Sequence, residues 1–316
     1  MFVFLSERLV GAGTSRGYSL DLLHPPSPSS ELHPKHVGQF SSVNCCNKSL
    51  MLELEPRLPP EIERLIFEDV AWMYRSSIPR LILVCRRVKD WTESILYSIV
   101  IRRSETPYPS YEPPIERLPA YACHVHSFLA FFEIDGTIIR DYLRLCKNLT
   151  NLALWCEPTC PDLLQLLEEL PRLRNLTIYL SAVFPDGPPY TLESKSGAFQ
   201  GLTHLELMDD EISWKDISGF VGGLEGLTHL ALNDINDEQL VCDILENCPR
   251  IRVLVLFESS ELKVLGSSKV VFAKFSLDAY VGDWISVAEG RECFWDKAER
   301  EVIEKEFCRE YGYLLE

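Results

Sequence analysis

The 316-residue chain has no run of the roughly 18 to 20 uninterrupted apolar residues that a membrane-spanning helix requires, so nothing in it calls for a bilayer. The apolar opening Met1-Phe-Val-Phe-Leu5 has no basic lead, is stopped by Glu7 and Arg8, and is followed by no small-residue cleavage site; it does not read as a secretory signal. The short signatures of common catalysts are also missing: there is no Gly-x-Ser-x-Gly elbow, no His-Glu-x-x-His, no dinucleotide fingerprint and no kinase set. Gly11, Gly13 and Gly17 make no phosphate loop, because no strand pattern precedes them and no Lys-Ser or Lys-Thr follows at the required distance. Carboxylates are abundant, yet no pair stands in an apolar setting that would divide acid and base roles. Intrinsic catalysis and a bound cofactor are therefore not expected.

Cysteine is present but unpaired in pattern. The 11 cysteines are scattered and odd in number, and Cys156-x-x-x-Cys160 and Cys242-x5-Cys248 lack the paired short spacing of zinc modules, so neither a disulfide framework nor a metal is expected. Basic charge is scarce: 31 Lys and Arg face 47 Asp and Glu, a net charge of −16. Residues 58–103 hold eight basic against six acidic side chains, whereas residues 104–316 hold 18 against 36. The larger part would repel a phosphate backbone, which argues against nucleic acid, and self-repulsion or preference for a basic partner follows instead.

What is present is repetition. Leu149-x-x-Leu152-x-Leu154, Leu173-x-x-Leu176-x-Ile178, Leu202-x-x-Leu205-x-Leu207, Leu227-x-x-Leu230-x-Leu232 and Ile251-x-x-Leu254-x-Leu256 start 24, 29, 25 and 24 residues apart. That period marks a leucine-rich-repeat solenoid, in which each unit contributes one strand and buries its leucines only against its neighbours. Val125-x-x-Phe128-x-Ala130 and Phe272-x-x-Phe275-x-Leu277 extend the series to seven units. Three residues before each start the chain carries Cys146, Leu170, Phe199, Leu224 and Cys248, an apolar column that makes those two thiols small core residues. Helical spacing follows the strands at Leu163, Leu166, Leu167 and Leu170, at Ile217, Phe220, Val221 and Leu224, and at Leu240, Ile244, Leu245 and Cys248. Strand then helix, repeated, predicts an α/β fold of parallel strands. Pro185-Asp-Gly-Pro-Pro189 stretches one unit and belongs in a loop.

Four other segments flank or precede the array. Residues 1–57, with His24-Pro-Pro-Ser-Pro-Ser-Ser30, lack apolar periodicity and are expected to be mostly disordered. Residues 58–103 carry helical spacing at Ile62, Leu65, Ile66 and Val70, and again at Leu81, Val84, Cys85, Val88, Trp91, Ile95 and Leu96, which predicts a small helical domain. Residues 104–120, with Pro107, Pro109, Pro113, Pro114 and Pro119, read as a linker. The repeats occupy 121–285, and 286–316 form a helical cap, with Trp295, Ala298, Val302, Phe307 and Tyr311 on one broad face over the solenoid's exposed end.

Side chains alternate along each repeat strand, so the residues between the leucines form outward columns. One column reads Trp155, Tyr179, Met208, Asn233, Phe257 and Asp278; the other reads Ala153, Thr177, Glu206, Ala231, Val255 and Ser276. Large aromatics in such a column are anchors for a partner, which makes Trp155, Tyr179, Glu206, Met208, Asn233 and Phe257 candidates for target binding; a tail of the same chain covering them is the other possibility. His204 and His229 take the same place in adjacent repeats, as repeat drift, a metal pair or a pH-sensitive contact would produce. Asp209, Asp210 and Glu211 form an acidic cluster that reads as a solvated loop or as a seat for a cation or basic peptide.

Leu58-Pro-Pro-Glu-Ile62, Leu65-Ile-Phe67, Leu83-Val-Cys-Arg-Arg87, Trp91 and the closing Leu96-Tyr97 resemble an F-box over about 45 residues. The chain departs from that family's pattern in lacking an Asp-Leu pair before the second helix and in placing its tryptophan six residues after Cys85. With Asp283-Trp284 and Phe294-Trp-Asp-Lys-Ala-Glu299 after an irregular array, the whole is similar to the divergent F-box families of mushroom-forming (basidiomycete) fungi. The resemblance implies the non-catalytic substrate receptor of a Skp/cullin/F-box ubiquitin ligase, working in the cytoplasm or nucleus in protein degradation. Leu58, Pro59, Ile62, Leu65, Ile66 and Phe67, with Leu83 and Val84 from the second helix, would grip a Skp-type adaptor and through it a cullin. The repeats would hold a protein target, with a basic one favoured. A plain interaction scaffold outside the ubiquitin system, with these helices capping the array, and a hydrolase or metal-dependent enzyme are the alternatives.

Overall fold

The structure, a computed structural model, describes residues 58–102, 115–131, 134–155, 160–192, 199–209, 212–235, 237–257, 262, 267–274 and 276–311. Among them the chain is α/β, built on one open sheet of eight strands that are all parallel and follow sequence order from β1 to β8. The strands are β1 Ile99–Arg102, β2 Ser127–Ala130, β3 Asn151–Leu154, β4 Asn175–Ile178, β5 His204–Leu207, β6 His229–Asn233, β7 Val253–Phe257 and β8 Val270–Ala273. Each strand of four or five residues is too short to bury anything alone, so the repeat's leucines find cover only from the copies on either side. The register shows this directly: Phe128, Leu152, Leu176, Leu205, Leu230, Leu254 and Val270 stand in one row across seven strands, and all are buried.

Helices complete the units. α1 Pro60–Met73, α2 Ile78–Leu81 and α3 Arg86–Tyr97 precede β1, and α4 Leu118–Tyr121 precedes β2. Between the later strands lie α5 Gly136–Leu145, α6 Leu163–Glu168, α7 Leu180–Val183, α8 Trp214–Gly223 and α9 Glu238–Asn247; α10 Leu277–Ala288 and α11 Phe294–Tyr311 follow β8. Local chemistry sets their starts. Pro60 occupies the first turn of α1, where its missing N–H costs nothing, with Glu61 and Glu63 favoured by the helix dipole. Asp135 and Asp237 each accept a backbone N–H two residues on, from Thr137 and Gln239, and Ser213 with Asp216 closes a capping box on α8. The apolar faces anticipated from spacing, such as Leu163, Leu166 and Leu167, or Ile217, Phe220 and Val221, pack onto the leucine side of the sheet in one continuous core. In the stretched unit, α7 is only four residues long and the proline-rich insert forms the turn after it, with Gly187 at φ 81°, a conformation glycine adopts without strain.

The repeat count and frame differ from the sequence reading at both ends. Eight strands stand where seven copies were counted, because β1 follows α3 after a single residue and pairs in register with β2. Its Ile99-Val-Ile101 run is a short apolar segment whose period does not distinguish strand from helix. At the other end, Val270 and Phe272 pair with Leu254 and Leu256, five residues out of step with the Phe272-x-x-Phe275-x-Leu277 frame. Ser276 precedes α10 and Leu277 opens it, so Ser276 and Asp278 leave the columns and Val271 and Ala273 take their places. Residues 115–117 form a 3-10 turn leading into α4, and Leu118 is fully buried in the leucine core, so the end of the proline-rich stretch belongs to the packed body. Residues 1–57 and 104–114 lie outside the described residues.

Leu230 is fully buried in the central row. Leu230→Ala is expected to lower the unfolding free energy by about 2–5 kcal/mol, read as a fall in the urea midpoint at unchanged slope. A change under about 0.5 kcal/mol would place that row outside the core.

Candidate binding surfaces

Opposite the leucines the sheet presents a second face made of three rows. The first runs Ile99, Ser127, Asn151, Asn175, His204, His229 and Val253; the second runs Ile101, Leu129, Ala153, Thr177, Glu206, Ala231, Val255 and Val271. The third holds Phe131, Trp155, Tyr179 and Met208, just past β2 to β5, and Asn233, Phe257 and Ala273, the last residues of β6 to β8. Trp155, Tyr179, Glu206, Met208, Asn233 and Phe257, which strand alternation sets on one side, all belong to this face.

That face is not open. α10 lays Tyr280 and Trp284 against Ile99, Ile101, Leu129, Phe131, Trp155 and Met208. α11 lays Trp295, Ala298 and Val302 against Ala231, Val253, Val255, Phe257 and Val271. Trp155, Met208, Phe257 and Glu206 are buried, and Tyr179 and Asn233 half-buried. The cover is therefore two helices instead of one, and they lie across the strands' second face instead of over the array's end. The physical reason is area: parallel strands flanked by helices on one side only would leave a broad aromatic face in water. On α11, Trp295, Ala298 and Val302 face the sheet as spacing predicted, while Phe307 stays exposed.

Polar groups are concentrated in this seam. Asn151 Nδ2 donates to Ser127 Oγ at 2.8 Å and Asn175 Nδ2 donates to Asn151 Oδ1 at 2.7 Å, a short ladder along the first row. Tyr280 of α10 donates to Glu206 Oε2 at 2.6 Å, and Thr177 donates to the same oxygen at 2.8 Å. Burial pushes the Glu206 carboxyl up to about 7, against the two hydrogen bonds that favour its charge. Its Oε1 and the indole Nε1 of Trp284 find no protein partner among the described residues. Both side chains line one cavity, with Thr177, His204, Phe294 and Trp295, that has room for about one water molecule. Beside it the imidazoles of His204 and His229 stack at 4.1 Å, with Trp295 edge-on to both. Burial pushes each down to about 4. Among the described residues no cluster of three or more His, Cys, Asp or Glu side chains has the form of a metal site.

The acidic cluster divides. Asp209 is buried and accepts the backbone N–H groups of Leu180 at 2.6 Å and Ser181 at 3.1 Å, capping α7 from the neighbouring unit. Asp210 and Glu211 lie outside the described residues. Cys146 is buried, with its thiol pushed up to about 12, and Cys248 is half-buried. Cys156 lies outside the described residues.

The helical segment shows the opposite character. Leu58, Ile62, Leu65 and Ile66 are exposed at the start of α1, and Leu83 and Val84 are more so, at 81% and 59%. Pro59 is exposed and Phe67 half-buried. Leu83 and Val84 were expected on a second helix, but that pattern is interrupted: α2 ends at Leu81, a turn follows, and α3 begins only at Arg86. Ala71, Ile78, Ile95 and Leu96 form the small core beneath. Glu63 pairs with Arg87, holding α1 against the start of α3.

A contact that sequence did not foretell joins this segment to the cover. Arg75 and Glu289, both largely buried, approach to 3.7 Å, and Arg75 also donates to the carbonyl of Ile95 and to Ser98 Oγ. Nothing local marks either residue, since each is an ordinary charge just past a helix end. Tyr280 was equally silent; only register puts it over Glu206. No family model and no curated protein matches the chain.

The Glu206 geometry carries a signed pH effect. A carboxyl raised from 4.5 to about 7 on folding contributes stability that is fully present below pH 4.5 and is lost as pH rises through 7. Glu206→Gln, which keeps shape and an acceptor, should gain stability relative to the parent between pH 4.5 and pH 8, by up to about 3 kcal/mol. Urea midpoints at the two pH values measure it, and parallel profiles would assign the shift to another group.

Proposed function

We propose that this protein is the substrate receptor of a Skp/cullin/F-box ubiquitin ligase, with an F-box-like helical module followed by a leucine-rich-repeat solenoid. The observation that carries the proposal is the unshielded apolar set on the helical segment: Leu58, Pro59, Ile62, Leu65, Ile66, Leu83 and Val84. A segment with only a small core beneath it gains nothing from facing these side chains to water, and such a patch marks a docking surface. They coincide with the positions that the F-box resemblance assigns to the adaptor, except that Phe67 is half-buried and contributes less. The repeating strand-and-helix ladder supports the second half of the reading, since in-register leucine rows are what stacked repeats require.

In this reading the receptor performs no chemistry, and ubiquitin transfer belongs to the other subunits, in the cytoplasm or nucleus. The acidic balance of the repeat region favours a basic target. The columns assigned to the target are covered by α10 and α11, so Trp155, Tyr179, Glu206, Met208, Asn233 and Phe257 can meet a target only where those helices move aside.

A second reading rests on a specific contact. α3 runs into β1 after Ser98, and Tyr97 stacks on Tyr121 at 4.5 Å beside the leucine core, so the helical segment also closes the first edge of the sheet. A scaffold outside the ubiquitin system would use it for that alone. Co-purification with a Skp-type adaptor separates the two. Leu58→Asp and Ile62→Asp are each expected to weaken adaptor binding about thirtyfold or more while leaving the melting temperature within a few degrees of the parent. An intact chain that captures no adaptor would leave only the scaffold.

A further inference from the structure

We propose that α10 and α11 form an acid-released strap: protonation of the stacked His204–His229 pair lifts residues 277–311 from the second face of the sheet and uncovers its aromatic row.

The two sides of the sheet are held by different chemistry. On the leucine side the core is apolar apart from the hydroxyls of Tyr121 and Tyr142, which hydrogen-bond each other at 3.2 Å. Of the eight buried polar or charged residues among those described, Ser127, Asn151, Thr177, Glu206 and His229 all lie on the strap side. Burying polar groups with incomplete partners offsets part of the gain from apolar contact, and Glu206 Oε1 and Trp284 Nε1 are two such groups. Connection favours release as well. The strap joins the sheet only after β8, and no later strand pairs onto it among the described residues, so it can lift without breaking the ladder; lifting also parts Glu289 from Arg75, but both charges then return to water, and desolvation offsets much of that pair's attraction in the closed state.

The histidines supply the trigger. Nδ1 of His204 is 2.8 Å from Thr203 Oγ1 and Nδ1 of His229 is 2.8 Å from Thr228 Oγ1, and Trp295 of the strap packs on both rings. The titratable and charged groups around the pair are Glu206 on β5, Arg252 ahead of β7, Tyr280 on α10, and Asp296 and Glu299 on α11. Glu299 Oε1, 3.1 Å from His229 Nε2, favours the imidazolium but is shared with Arg252 at 3.3 Å. Burial is the largest effect on both rings, with the neighbouring ring opposing a charge on His204 and Arg252 opposing one on His229. Depressed from 6.5 to about 4, the pair contributes to closure fully above pH 6.5 and loses that contribution as pH falls toward 4. Glu206 acts with opposite sign, because its closed state holds a proton up to about pH 7. Between pH 6.5 and 4.5 opening therefore takes up as many as two protons at the histidines and releases one at Glu206.

The test is 19F NMR of the full chain with all six tryptophans fluorinated, assigned by single Trp→Phe changes, from pH 7.5 to 4.5. Trp155, Trp284 and Trp295 report the seam; Trp91 and Trp214 lie outside it and report the rest of the fold, while Trp72, beneath Arg75, senses the parting of Arg75 from Glu289 of the strap. The expected result is that the three seam signals pass to open resonances while Trp91 and Trp214 hold, the open-to-closed ratio rising up to about tenfold per pH unit. His204→Phe and His229→Phe should each flatten that slope, and Glu206→Gln should steepen it toward about a hundredfold per unit. Movement of Trp91 and Trp214 together with the seam signals, seam signals unchanged down to pH 4.5, or a slope unaltered in both histidine variants would each overturn the proposal. Trp91 and Trp214 confirm in every variant that the fold survives. None of these readouts depends on adaptor binding, so the strap and the receptor reading stand or fall separately.

Discussion

A strand of four residues cannot shelter its own side chains, and the whole structure follows from that constraint. Every strand offers apolar residues to the leucine side and six of the eight offer them to the other side as well, so neighbours must align in register and both faces of the resulting sheet must be covered. Phe128, Leu152, Leu176, Leu205, Leu230, Leu254 and Val270 satisfy the first demand by standing in a row. The intervening helices satisfy the second on one side, because the described crossovers pass over that side.

Among the described residues the crossovers leave the other side uncovered, and the chain returns over it with α10 and α11. Two consequences follow from covering a face late and with a single excursion. The aromatic residues that repeats elsewhere would present to partners become core, as Trp155 against Tyr280 at 4.5 Å illustrates. The cover must also match whatever polar residues the rows contain, and the match is incomplete: Tyr280 and Thr177 satisfy one oxygen of Glu206 and leave the other. Apolar packing on one side and titratable contacts on the other give the sheet two faces that respond differently to solution conditions.

The helical segment and the strap, distant in sequence, meet at Arg75 and Glu289. A largely buried ion pair adds little net stability, since desolvation offsets much of its attraction, but losing one partner leaves a costly bare charge. The pair therefore specifies where the strap's first helix ends relative to α1–α3 more than it strengthens the contact. The segment that carries the exposed patch at Leu65 and Leu83 and the cover of the aromatic face thus meet at one defined contact while the strap is closed.

Sequence alone determined what depends on local pattern: six strands and their frame from the spacing of the repeated apolar positions, three interstrand helices from threefold and fourfold intervals, the face shared by Trp155, Tyr179 and Phe257, and the helical segment with its apolar start. It misplaced β8 by five residues and passed over β1, because short apolar runs such as Val270-Val-Phe272 and Ile99-Val-Ile101 carry no period of their own. It also joined Leu83 and Val84 to a helix that the chain breaks between Leu81 and Arg86. Only the tertiary structure decided what lies over the aromatic face, which oxygen of Glu206 is satisfied, and that Asp209 caps a helix one unit away. Those depend on contacts such as Thr177 with Tyr280, 103 residues apart, which no local periodicity encodes. A strand's alternation says which residues point the same way; it does not say what will be there to meet them.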